Sequence, residues 1–267
     1  REEFIKRMDE LSGGDFSKAI QRSEYVEIPT LKMTQDDIVK SKETLEKFKT
    51  KYGANTKEYD IVIDGKETKI TRFCGSKTDG SNEGDFAQIG DKLYYIKFPD
   101  KTKLEQSIQE VMASELYRVA GIDAPNMKVM FDKDGKILGM ASEYIPNVGE
   151  AANGKNLFDS FIADAWLADW DAPKHGNSVM RNGTCLKMDV GGSMEYRARG
   201  AKKENFGGIV NELTSLIEQN GDYYSMTKAD VMSSLKHVTS VSDGQIWKII
   251  ENVPAEKSKA PVLEVQG

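Results

Sequence analysis

At Pro146 the chain changes its pattern, and few architectures accommodate the change. Before it, the runs Tyr59–Ile63 and Glu67–Phe73 flank Asp64-Gly65, a dipeptide that favours a tight hairpin turn. A glycine-bearing stretch, Gly75–Gly90, leads to a short hydrophobic strand at Leu93–Phe98. Leu104–Ala120 reads as an amphipathic helix stopped by Gly121. Two more strands flank the Asp132–Gly135 turn and end at Ala141–Ile145. After Pro146 the pattern is mainly helical. Phe158–Trp170 reads as a buried helix carrying Phe161, Ile162, Ala165 and Trp166, and a small hairpin turns at Arg181-Asn182-Gly183. Further helices are expected over Phe206–Gln219, Thr227–Val238, where Thr227 and Asp230 are spaced for capping, and Ser242–Val253, ended by Pro254. Strands with one helix, a connector, then helices make an α+β chain of two lobes with a cleft between them.

Upstream of both lobes the sequence again reads as helical. Phe4, Ile5, Met8 and Leu11 share one face. Thr34 can cap a second helix with Asp37 three residues on; Ile38, Leu45, Phe48 and Tyr52 form its stripe, and Gly53 stops it. The expected division is a helical N-terminal extension over 1–55, a β-rich N-lobe over 56–145 and a mainly helical C-lobe over 146–267, the extension bracing the N-lobe.

Composition excludes several classes. The 267 residues are long enough to bury a core without disulfides or structural metal, and a net charge of −6 disfavours a general nucleic-acid binder. No apolar run reaches the ~20 residues of a membrane span. The chain opens Arg1-Glu2-Glu3 with no apolar signal core behind it and no Met, which reads as a trimmed start. The two cysteines, Cys74 and Cys185, read as reduced thiols in a reducing cytosol. His175 and His237 are far apart and no HExxH or paired CxxC occurs, so zinc is not expected.

Three fragments carry chemistry. Lys97 lies in Tyr94-Tyr95-Ile96-Lys97-Phe98, so it must meet an anion or face water from an edge strand. Glu110 and Glu115 are its candidate partners; separated by roughly 140° around a helix, they cannot both face it, and Glu110 is favoured. Upstream, Thr78–Asp85 contains Gly80, Ser81 and Gly84, small residues that let backbone N–H groups approach phosphates, although GxxxxGK[ST] is absent and an ordinary surface loop has the same composition. The third fragment is Asp169-Trp170-Asp171-Ala172-Pro173-Lys174-His175-Gly176-Asn177, followed after a hairpin by Asp189-Val190-Gly191-Gly192. Asn177 offers a neutral oxygen and Asp189 a charged one, both hard ligands of the kind Mg²⁺ takes. Asp171 or Asp169 would orient an attacking hydroxyl, with Asp171 favoured because Pro173 turns the chain toward Asn177 while Asp169 falls on a helix C-terminus.

From about Phe73 to Val253 the chain resembles the atypical bacterial kinases grouped with HipA and the phosphatidylinositol kinases, in particular a bacterial and phage-associated branch. The stretches that carry the resemblance are YYIKFP, EVMASELYRVAGIDAP, ASEYIP, AWLADWD…HGN, MDVGGSMEYRARG and FGGIVNEL. The resemblance implies a bilobal protein-kinase-like fold. It implies that Lys97 binds ATP phosphates, that Glu110 steadies Lys97, that the backbone of Glu143–Ile145 (Glu143 and Ile145 at its ends) bonds adenine, and that Asn177 and Asp189 hold Mg²⁺ or Mn²⁺. Most kinases place the catalytic Asp five residues before the metal-binding Asn, and position 172 is Ala here, so the base stays open between Asp171 and Asp169. His175 and Lys174 lie in the same loop, where either could touch the γ-phosphate or simply shape the loop. Arg197, Arg199, Lys202 and Lys203 follow Gly191-Gly192, either as a solvated charged loop or as a site for a phosphorylated substrate or anionic activator.

The expectation is an ATP- and Mg²⁺-dependent phosphotransferase, bacterial by the resemblance and cytoplasmic, with delivery into a host cell left open and a protein Ser/Thr hydroxyl as leading acceptor. Its rivals are a lipid or inositol-phosphate-type kinase, a kinase-fold AMP transferase and an inactive binding scaffold. The sequence names neither the acceptor nor the oligomeric state.

Overall fold

The computed structural model describes residues 27–77, 84–99, 103–174, 176–197, 200–204, 206–207, 210 and 212–252. Among them the chain is α+β. Helix α1 spans Gln35–Tyr52, with Thr34 and Asp37 forming a reciprocal capping box. Strands β1 (Thr56–Ile63), β2 (Lys66–Phe73), β3 (Asp85–Ile89) and β4 (Lys92–Lys97) follow as an antiparallel meander. Helix α2 (Leu104–Val119) leads to β5 (Met127–Phe131) and β6 (Ile137–Glu143). Beyond Pro146 come a 3₁₀ turn (Gly154–Leu157), α3 (Phe161–Trp166) and the hairpin β7 (Ser178–Arg181) and β8 (Thr184–Lys187). Helix α4 (Glu212–Gln219), a 3₁₀ turn (Gly221–Ser225), α5 (Lys228–Thr239) and α6 (Asp243–Asn252) complete it.

The six long strands close into a barrel in the order β1-β2-β3-β4-β6-β5, sealed where Val62 of β1 pairs with Phe131 of β5. Pairing slips at Met130/Phe131, a bulge that bends β5 toward β1. A closed barrel departs from the kinase-like N-lobe expected from sequence. Ile61, Ile70, Ala87, Ile96, Met130 and Ala141 fill its interior. On its outside α2 lays Val111, Leu116, Tyr117 and Val119 against Met127, Val129 and Met140, and this cluster continues into α3 and α6 through Ala163 and Ile249.

Three expectations need correction. Strand β3 was not read from sequence, because its inward positions carry Asp85 and Ala87 in place of large apolar residues. The Asp85 carboxylate is committed to Ser76 N (3.0 Å) and Arg72 Nε (2.6 Å). The helix expected over Phe158–Trp170 holds only from Phe161 to Trp166, because Ala168 adopts φ 53°, a left-handed conformation that no L-residue helix continues through. The helix expected from Phe206 begins at Glu212. The face of Phe4, Ile5, Met8 and Leu11 lies outside the described residues.

The segment from Pro29 to Tyr52 touches more than the barrel. Leu45 and Phe48 of α1 pack on Phe73, Leu93 and Phe86. Preceding α1, the Pro29 carbonyl accepts from Arg118 Nε (2.7 Å), and Leu31 exchanges two hydrogen bonds with the Asn126 side chain. Asp37 then forms a buried ion pair with Arg181 of β7 at 2.6 Å, and Asn147 of the connector bonds Asp36 and Asp37. Against the burial that would raise it, the Thr34 cap, Asn147 and Arg181 hold the Asp37 carboxyl down at about 2. One segment therefore holds α2, the barrel, the connector and the β7–β8 hairpin together. Cys74 and Cys185 are both free thiols, and among the described residues no helix is long and apolar enough to cross a membrane.

Candidate functional site

Lys97 is the last residue of β4, and its strand neighbour across the ladder is Met140. The approach of β6 there is so close that a Cβ at Gly139 would sit 2.0 Å from the Lys97 carbonyl, which only glycine permits. The ammonium points toward α2 and meets both Glu110 carboxylate oxygens, at 2.7 and 2.8 Å, with both side chains buried. Burial works against the Lys97 charge, yet Glu110 and Asp189 together hold its pKa above the ordinary lysine value. Glu110 is pushed up by burial, opposed by Lys97 and reinforced by Asp189. Glu115, the alternative partner, instead lies 4.0 Å from Arg118.

Asp189 follows β8. Its Oδ1 accepts from Gly191 N at 3.0 Å. A Cβ at Gly191 would stand 3.1 Å from that oxygen and 3.4 Å from Glu110 Oε2; a Cβ at Gly192 would stand 3.1 Å from Asp171 Oδ2. The Gly191-Gly192 pair thus runs between three carboxylates, Glu110, Asp189 and Asp171, where a larger residue at either position would crowd them. Asn177 closes the same wall. Its carbonyl accepts from Met188 N and Asp189 N, at 2.7 and 3.2 Å, and its Nδ2 donates to the Asp171 carbonyl at 2.8 Å, which leaves Oδ1 as the side-chain atom available to a cation.

The segment after Asp189 is fastened to the helix that carries Glu110. Gln106 Nε2 donates to the carbonyls of Gly191 and Arg197, both at 3.0 Å; Gln109 exchanges bonds with Glu195; and Tyr196 Oη donates to Glu105. Positions 105, 106, 109 and 110 form one face of α2, so the orientation of Glu110 and the path of residues 191–197 are set together.

The other expected residues divide. Asp171 forms an ion pair with Lys174, whose side chain is mostly exposed. Asp169 is wholly buried and bonds Tyr117 Oη at 3.0 Å, so it faces the interior and no substrate could touch it. Lys203 is also buried, donating to the carbonyls of Ala168, Gly192 and Met194 at 2.5, 2.6 and 2.7 Å, and burial lowers its pKa to about 8. It ties loops together, and so matches neither the solvated charged loop nor the anion site that the sequence left open for it. Arg197 and Lys202 remain exposed, Arg197 over the Trp170 ring at 5.0 Å and Lys202 paired with Glu195 at 2.9 Å. Gly84 packs on β4, where a Cβ would meet Tyr95 Oη at 2.3 Å. Glu143 N donates to Asn126 O and its carboxylate pairs with Lys92, while Ile145 is buried against Leu31, Val179 and Leu186. Gly80, Ser81, His175 and Arg199 lie outside the described residues.

Sequence reasoning missed Lys77. Its Nζ lies 2.8 Å from Tyr95 Oη and over the Tyr95 ring, the same ring that Lys97 flanks from 5.8 Å, and its charge reaches Glu110. Its place at the head of the Gly80–Gly84 stretch was the available signal. Gln106, which fixes Gly191, had none, since a glutamine on a helix face is ordinary.

No protein-family model matches the chain, and no curated protein matches it. Among solved structures it is similar to the crystal structure of a Helicobacter pylori proinflammatory kinase, CtkA, with a TM-score of 0.47 and 14% sequence identity over 70% of this chain and 86% of that chain.

Proposed function

We propose that this chain is an ATP- and Mg²⁺-dependent phosphotransferase of bilobal kinase type, with a protein Ser/Thr hydroxyl as its leading acceptor. The observation that carries the reading is the Gly191-Gly192 passage, which brings the Lys97–Glu110 pair, Asp189 and Asp171 onto one wall. Structural ion pairs have no need of two further carboxylates crowded beside them; phosphoryl transfer needs a cation for phosphate, oxygen ligands for a metal and a carboxylate for the hydroxyl.

The residues fit Mg²⁺. Among the described residues no group of three or more His, Cys, Asp or Glu could enclose a metal by itself. Asp189 and the Oδ1 of Asn177 are two hard oxygen donors, the number that suits an ion completing its shell with phosphates and water. When bound, the ion supplies counter-charge to the phosphates. Lys97, held as ammonium by Glu110, and Lys77, at the entry to the glycine stretch, would carry positive charge to the same phosphates. The connector backbone around Ile145 would receive adenine. Asp171 would accept the proton of the attacking hydroxyl, with Lys174 holding its carboxylate in place. Helix α2, through Gln106 and Glu110, would keep both halves of this wall in register.

The test is incubation with γ-labelled ATP and Mg²⁺ against a panel of proteins, lipids and inositol phosphates, read beside thermal shifts with Mg²⁺-ATP. Transfer that vanishes in Asp189→Ala, together with the thermal shift, is the expected result. A parent chain with neither transfer nor shift would overturn the reading, and label on lipid alone would move the acceptor class.

A further inference from the structure

Directly behind the Asp171–Asn177 loop lies a sealed group of polar side chains that the proposed chemistry does not use. Tyr117 of α2 places its Oη 2.9 Å from Asp164 Oδ1 and 3.0 Å from Asp169 Oδ2. A phenol has one proton to give, and two acids stand within hydrogen-bond distance of it. Asp164, on α3, is otherwise well supplied: its Oδ2 accepts from Lys187 Nζ at 2.8 Å and Ser160 Oγ at 3.0 Å. It is therefore the ionised member. Asp169 has no such support. Its Oδ1 is buried with no hydrogen-bond partner among the described residues, and the whole residue is inaccessible. Were Asp169 ionised as well, one of the two tyrosine contacts would set lone pair against lone pair and an uncompensated anion would be sealed from water.

The geometry points to a proton resident on Asp169 Oδ2, donated to Tyr117 Oη while Tyr117 donates its own to Asp164, and assigns Asp169 as a positioning residue for the Asp171–Asn177 loop. Its backbone fits the role. Asp169 N donates to the Asp164 carbonyl at 2.7 Å, its carbonyl accepts from Ala172 N at 3.3 Å, and the preceding Ala168 is held at φ 53° with its carbonyl taken by Lys203. Releasing the proton to solvent would leave two carboxylates facing one phenol at the root of this turn, and the loop would loosen.

The groups around Asp169 come from every element packed on it: Tyr117 from α2, Asp164 from α3, Lys187 from β8, Lys203 from the segment after Arg197, and Tyr223 from the second 3₁₀ turn. Burial and then Asp164 push the Asp169 carboxyl up to about 7, against the pull of Lys187, Tyr117 and Lys203. The folded state thus keeps a proton that the unfolded chain gives up in the ordinary carboxylate range. The resulting stability is fully present below that range and is lost as pH rises toward about 7.

The replacement Asp169→Asn mimics the protonated acid, with a donor and an acceptor and no charge. Unfolding of parent and variant, followed by chemical denaturation from about pH 5 to about pH 8, should show the variant's folding equilibrium gaining on the parent by up to about tenfold per pH unit. A variant that instead loses ground as pH rises, or is equally impaired throughout, shows that Asp169 is held ionised and overturns the assignment. Should the variant fail to fold, infrared spectroscopy decides: the parent at about pH 6 should show a protonated-carboxyl band that persists in Glu110→Gln and Glu115→Gln, and spectra without it sink the proposal. The consequence for catalysis rests on the phosphotransferase reading: transfer by the parent should weaken at alkaline pH more steeply than transfer by Asp169→Asn. Absence of any transfer with the stability pattern intact would count against phosphotransfer and leave the proton in place.

Discussion

Two buried lysine–carboxylate pairs of nearly the same length differ in what surrounds them. Lys187 and Asp164 meet at 2.8 Å with side chains 1% and 0% exposed; Lys97 and Glu110 meet at 2.7 Å with 10% and 6%. Around the first pair Tyr117 and Ser160 donate to Asp164, and Ser178 accepts from Lys187. Around the second, Asp189 adds a further negative charge, Lys77 a further positive one, and two glycines keep the space open. A pair saturated by its neighbours holds elements together. A pair with surplus charge beside it is equipped to meet a charged ligand, because the surplus is stabilised only when that ligand arrives.

The largest effect expected from this contrast follows Lys187→Met. It leaves Asp164 sealed without its cation, and stability should fall by about 3–5 kcal/mol, read from the denaturant midpoint. Adding Asp164→Asn should recover part of the loss. A midpoint close to the parent's would show that the two pairs do not differ in this way. Lys97→Met should reverse the balance of effects. Glu110, already pushed up by burial, can take a proton, so the stability loss should be smaller, about 1–3 kcal/mol. Phosphotransfer should drop by about 10²-fold or more, the scale for removing a preorganised charge from a transition state. Equal losses of stability in both variants, with transfer kept in Lys97→Met, would make Lys97 a second structural lysine.

The contrast also marks what the sequence made legible. Lys97 could be read as needing an anion because it interrupts an apolar run, and Glu110 as its partner because helix geometry allows one of two acids to face it. Thr34, Asp64-Gly65, Asn182-Gly183 and Thr227 were legible because caps and tight turns depend on a few adjacent residues. Asp164 and Lys187 were not, since nothing local distinguishes an acid inside a short helix from one on its surface. The same blindness misplaced Lys203, which sits in a basic run with Arg197 and Lys202 yet turns inward to three carbonyls. It also hid the closure of the barrel, which depends on one pairing, Val62 with Phe131, between residues far apart in the chain. Asp169 was placed at a helix end that Ala168 had already broken.

The smallest expected effect concerns the exposed cations of that basic run. Arg197 lies over the Trp170 ring at 5.0 Å on the open side of the loop, whereas Lys203 approaches the same ring at 5.5 Å from within. An exposed cation–π contact is worth about 0.5–1 kcal/mol, so Arg197→Glu should cost little stability. Its side chain is exposed and follows Gly191-Gly192 by five residues, so under the proposed function it is a candidate contact for an acceptor bearing phosphate or carboxylate. Transfer to an acidic acceptor should therefore fall a few-fold, and the fall should shrink as salt rises, because exposed charges separated by more than about 10 Å are screened at about 0.1 M. Transfer to a neutral acceptor and the Mg²⁺-ATP thermal shift should stay as in the parent, since Arg197 touches neither Lys97 nor Asp189. Lysine at the same position should restore the rate only in part if the guanidinium fork is what grips the acceptor. Identical rates for acidic and neutral acceptors in parent and variant would leave Arg197 as a lid on Trp170 and confine the chemistry to the wall that the two glycines hold open.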